Sequence, residues 1–142
     1  MPQLELIYPM AAMVLITILV LYRMVRGRFA AVASGAVDAR YYKTYQGENT
    51  EPRSAAQNAR HFSNLFENPV LFYVACVVAM VSGLGGTPML VLAWLFVATR
   101  AIHAVIHLTS NRIPHRIAAY ASSWTVLGAM WLWLVYRAAT MS

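Results

Sequence analysis

Apolar runs alternate with short polar or glycine-rich breaks along this chain, and the runs fall into four stretches of membrane-spanning length. Residues 6–24 are nearly uncharged and are followed by Arg26 and Arg28, with Arg23 at their end. About 20 apolar residues in a helix cross a hydrocarbon core of about 30 Å, so this run predicts a first span. A cleaved signal peptide is the rival reading. Glu5 and the lack of Lys or Arg ahead of the run, with no small-residue cleavage site after it, speak against that. From residue 29 to 54 the apolar pattern is lost to Gly35, Asp38, Arg40, Lys43, Gly47, Glu48, Glu51, Pro52 and Arg53. This predicts a polar connection with a short interfacial helix near residues 36–45, where Tyr41, Tyr42 and Tyr45 suit the headgroup level.

A second helix is expected from about residue 55 to 82, with its membrane span at about 60–82 and Pro69 inside it. Proline removes one backbone hydrogen bond, so a kink is expected just after Glu67. Residues 82–88, Ser-Gly-Leu-Gly-Gly-Thr-Pro, form an uncharged turn. Residues 89–108 give the third span, residues 109–114 a connection containing Asn111, Arg112 and Pro114, and residues 115–137 the fourth span. The expected fold class is all-α, an integral-membrane four-helix bundle with antiparallel neighbours, in one domain over residues 1–142.

Composition strengthens the membrane assignment. The chain is 60% apolar and 11% charged, against about 25% charged in a soluble domain. Its mean hydropathy is +0.54. Cys76 is the one cysteine and lies in an apolar run, which excludes an intrachain disulfide and a cysteine-based metal site. The net charge is +6, and all the Lys and Arg residues except Arg137 lie in or beside the first and third connections. The positive-inside rule then puts those connections in the cytoplasm and both termini on the other side. Basic residues split between helix ends and polar helical faces do not make a nucleic-acid surface.

Candidate chemistry gathers at one membrane level. Arg60, Asn64 and Glu67 are spaced i, i+4, i+7 on one helical face; Arg100, His103 and His107 are spaced i, i+3, i+7; Arg116 and Tyr120 are one turn apart. Arginine exceeds glutamate there, and arginine clamps carboxylates bidentately, so the level suits a small anion carrying several carboxylates. Glu67 is expected to pair with an arginine or to hold an ammonium group. Three structural alternatives stay open: Arg60 and Arg112 as snorkelling helix ends, Glu67 with Arg100 as an interhelical pair, and His103, His107 and Glu67 as metal ligands. The last lacks a visible fourth ligand, and no metal site is expected.

The motifs Arg60-x3-Asn64-x2-Glu67 with Pro69 and Phe72, Arg100-x2-His103-x3-His107, and Arg112-x-Pro114-x-Arg116-x3-Tyr120 resemble the pattern of the MAPEG family, the membrane-associated proteins in eicosanoid and glutathione metabolism. The resemblance covers nearly the whole chain. It implies a homotrimer of four-helix protomers, with glutathione as co-substrate bound between adjacent subunits near the cytoplasmic face. It gives Arg60, Asn64 and Glu67 roles in holding glutathione, with polar contacts from His103, His107 and Tyr120 and reach from Arg26 at the end of the first span. Arg116 takes the place of the arginine that stabilises the glutathione thiolate, because a guanidinium lowers the pKa of a nearby thiol. His107 stands where well-studied glutathione-using members commonly have Tyr, and Ser63 where some have a further Arg. The function implied is a glutathione-dependent transferase or peroxidase acting on a lipophilic small molecule from the bilayer. The alternative is a non-catalytic membrane protein of the same fold that binds a membrane lipid or another small anion. The Arg-rich, Ala-rich usage suggests a bacterial inner membrane.

Overall fold

Pro69 and Pro88 each stand in the first turn of a helix, where the missing N–H has no intrahelical partner to lose. The computed structural model describes residues 4–45, 51–110 and 112–141, so Gly47, Glu48 and Asn111 of the two polar connections lie outside the described residues. After a 3-10 turn at Leu4–Leu6 come α1 (Ile7–Ala33), α2 (Tyr41–Thr44), α3 (Arg53–Asn64), α4 (Asn68–Ser82), α5 (Thr87–Leu108) and α6 (Ile113–Met141). No strand occurs among the described residues. Four segments are long and apolar enough to cross a membrane: Leu4–Ala33, Arg53–Ser82, Thr87–Leu108 and Ile113–Met141. The protein is an all-α integral-membrane protein.

The kink expected near Pro69 is a full break. α3 ends at Asn64, Glu67 adopts φ −92° and ψ −104°, and α4 starts at Asn68. Pro69 has no N–H to give the Leu65 carbonyl and its ring would clash with that carbonyl, so a helix cannot run unbroken from α3 into α4. The single polar face expected for Arg60, Asn64 and Glu67 is therefore interrupted before Glu67. At the far end of the bundle Gly83 (φ 72°) closes α4 and Gly86 (φ 85°) opens α5, both in the left-handed half of backbone space that glycine tolerates. The indole N–H of Trp133 donates to the Gly85 carbonyl at 3.4 Å, tying α6 to that turn.

The core runs along the bundle. Phe72 of α4 and Phe96 of α5 stack with centroids 4.5 Å apart and planes 7° from parallel, and both are fully buried. Met13, Val20, Met89, Ala93, Leu127 and Met130 complete it from α1, α5 and α6. Outward positions such as Val14, Leu15, Ile18, Val81 and Leu132 are exposed and apolar. Water would reject that surface; hydrocarbon accepts it.

The first connection folds back against α1. Arg28 pairs with Glu51 at 3.3 Å and its guanidinium lies 5.0 Å from the Tyr42 ring centroid. Tyr41, Tyr42 and Tyr45 meet edge to face. Burial, and then the Glu51 carboxylate, raise the Tyr42 phenol above its usual range. The interfacial helix expected over residues 36–45 is the single turn α2.

Candidate functional site

Polar residues of α3, α5 and α6 form three tiers at one end of the bundle. The outer tier is a pocket of about 380 Å³ lined by Arg53, Ala56, Gln57 and Arg60 from α3, His107 from α5 and Arg116 from α6. Among the described residues, no carboxylate lines it. Arg53, Gln57 and Arg60 are spaced i, i+4, i+7, which puts all three on one side of α3. The Gln57 amide donates to the His107 carbonyl near the end of α5, so α3 and α5 are pinned at the pocket floor. Arg60 is exposed, Arg116 half-buried and the His107 side chain buried.

The middle tier is a trio of imidazoles. His61 is fully buried, and its ring lies 4.6 Å from that of His107 and 5.3 Å from that of His103. Both ring nitrogens of His61, and the Nδ1 atoms of His103 and His107, have no hydrogen-bond partner among the described residues. No group of three His, Cys, Asp or Glu side chains among the described residues is arranged to hold a metal ion. The His61 ring is tilted by 48° to that of His103 and by 31° to that of His107, and His103 and His107 meet edge to face at 68°.

The inner tier is built on the break in the second span. A helix end leaves carbonyls without intrahelical partners and carries negative partial charge, which favours a cation. The fully buried Arg100 meets that need: its Nη2 donates to the Asn64 carbonyl at 3.2 Å. Its guanidinium also lies 5.9 Å from the Tyr120 ring centroid. The Tyr120 hydroxyl donates to the Glu67 carboxylate. Glu67 thus pairs with Tyr120, and the direct Glu67–Arg100 pair weighed from the sequence is not formed. Directly after the break, the buried Asn68 amide donates to the Ser123 hydroxyl at 2.7 Å, joining the start of α4 to α6. Replacing Ser123 by alanine leaves that amide without its acceptor. We expect a loss of roughly 1–2 kcal/mol, read as a lower melting temperature of the detergent-solubilised protein.

Arg60, His107 and Arg116 come together in the outer pocket. His103 lies in the middle tier, and Asn64, Glu67 and Tyr120 surround the inner one. Arg26 is not with them: it lines a separate pocket with Tyr22, Arg23 and Asn58, between α1 and α3. Arg53, Gln57, His61, Asn68 and Ser123 were not singled out from the sequence. The i, i+4, i+7 spacing of Arg53, Gln57 and Arg60 was a usable signal for the first two.

Four membrane-crossing helical segments with an arginine-lined pocket at one end define the class: an all-α integral-membrane protein. The MAPEG family model matches residues 6–136, nearly the entire chain, and the protein belongs to the MAPEG family. No curated protein and no solved structure matches the chain.

Proposed function

We propose that the protein is a glutathione-dependent enzyme of the membrane, a transferase or peroxidase, whose outer pocket binds glutathione. The observation that carries this reading is the pocket itself: Arg53, Arg60 and Arg116 line a space of about 380 Å³ together with Gln57 and His107. That volume falls in the range of small-molecule sites, roughly 300–1,000 Å³. Glutathione carries two carboxylates and a thiol, which fits a three-arginine lining. Arg53 and Arg60 clamp the carboxylates, while Gln57 and His107 border the peptide. Arg116, lower in exposure, holds the sulfur as thiolate. In the transferase reaction the thiol proton leaves to solvent, the thiolate attacks an electrophilic carbon to form the S–C bond, and the leaving group departs with its electron pair.

The inner tier acts at a distance in this reading. Arg100 on the Asn64 carbonyl, Tyr120 on Glu67 and Asn68 on Ser123 fix the angle between α3 and α4, and hence where Arg60 stands relative to Arg116. Because Arg26 lies apart within one chain, any contact it makes with glutathione would come from an adjacent subunit of a homotrimer. The arginine-rich end faces the cytoplasm, which supplies glutathione, and the lipophilic second substrate enters from the bilayer. The test is turnover by the purified protein in detergent with glutathione and either an aromatic halide or a lipid hydroperoxide. Thioether formation identifies a transferase and oxidised glutathione a peroxidase. No product from either substrate would remove the enzymatic reading.

A further inference from the structure

Away from the arginine pocket, α1 and α5 enclose an apolar groove of about 420 Å³. Ile16, Leu19 and Val20 line it from α1, and Ala101, Ala104 and Val105 from α5. Its polar end is formed by Tyr22 and Arg23, and these two residues also line the neighbouring pocket of about 350 Å³ that contains Arg26 and Asn58. The groove therefore runs from hydrocarbon-like walls to two guanidinium groups within about one helical turn. Gly27 keeps the polar end tight: a Cβ at this position would stand 3.2 Å from the Asn58 amide nitrogen. Neither Arg23 nor Arg26 makes an ion pair or hydrogen bond among the described residues, in contrast to Arg28 with Glu51.

We propose that this groove and its pocket bind one anionic phospholipid per chain, with an acyl chain along α1 and α5 and the phosphate between Arg23 and Arg26. Charge complementarity selects the headgroup, since two unpaired arginines at a membrane boundary attract a phosphate and the Asn58 amide adds a neutral donor. The exposed, apolar Leu19 and Val105 open the groove sideways to the bilayer, so the occupant arrives from the membrane. Within one chain this site shares no lining residue with the Arg53, Arg60 and Arg116 pocket, and Arg26 is the one residue on which the two assignments compete.

Native mass spectrometry of the full chain in mild detergent, titrated with phosphatidylglycerol and in parallel with phosphatidylcholine, tests the proposal. One phosphatidylglycerol per chain is retained at saturation and phosphatidylcholine is not. Arg23→Ala and Arg26→Ala each weaken retention by roughly fivefold, Ala104→Phe fills the groove and abolishes it, and Arg137→Ala leaves it unchanged. Should Ala104→Phe fail to fold, the two arginine variants decide the matter alone. Equal retention of both lipids, or retention indifferent to Arg23 and Arg26, overturns the proposal. A Leu19→Cys variant that forms a disulfide between chains and excludes phosphatidylglycerol would place a second copy in the groove and also overturn it. Loss of glutathione binding in Arg26→Ala with lipid retention intact would assign Arg26 to the glutathione site and reject its headgroup role.

Discussion

Arg116→Ala is expected to lower kcat/KM for glutathione-dependent turnover by about 10²–10³-fold, the usual cost of removing one group that stabilises developing or resident negative charge in a site. The half-buried guanidinium sits at the α6 side of the pocket that Arg53 and Arg60 line from α3. A cation beside a thiol favours the thiolate, and removing the cation raises the thiol pKa. Thiolate absorbance of bound glutathione should therefore appear at higher pH in the variant than in the parent protein. Arg116→Lys restores only part of the rate, because an ammonium is a point charge without the planar fork of donors. A rate loss in Arg116→Ala that far exceeds what its change in melting temperature accounts for separates a chemical role from a structural one.

Phe72→Ala is expected to destabilise the bundle by about 3–5 kcal/mol. Phe72 and Phe96 are stacked, fully buried and on different helices, so truncating one ring leaves a cavity between α4 and α5 that the other ring cannot fill. In a membrane, helix association rests on packing rather than on the exclusion of water, which makes such a void directly costly. Phe72→Leu conserves more volume and should cost less than about 1.5 kcal/mol. Leu132→Ala on the exposed face should stay within about 0.5 kcal/mol. Unfolding midpoints in detergent give all three values.

The spans were legible because each is a long apolar run, and bilayer thickness translates run length into helix length. The glycine turn at residues 83–86 was legible too, and Pro69 marked a kink in the second helix, but it did not show that the helix stops at Asn64 and restarts at Asn68. The family pattern was also readable, and the match over residues 6–136 agrees with it. Less visible was how the polar residues divide among partners. Spacing put Arg60, Asn64 and Glu67 on one face, but it could not show that α3 ends at Asn64 and offers its carbonyl to Arg100. Nor could it show that Glu67 takes its proton donor from Tyr120 on another helix. His61 was hidden because a histidine beside an arginine in sequence carries no mark of being buried against two other imidazoles. Contacts between helices depend on rotation about each helix axis, which the hydrophobic pattern sets only within a broad stripe when both lipid and core are apolar.

The central claim is that the Arg53, Arg60 and Arg116 pocket holds glutathione, and equilibrium calorimetry of glutathione binding to the detergent-purified protein tests it most directly. Saturable binding, weakened about tenfold or more by Arg60→Ala through loss of a charge-assisted pair and unaffected by Arg137→Ala, is the predicted result. No saturable binding at millimolar glutathione, or binding indifferent to Arg60, would contradict it.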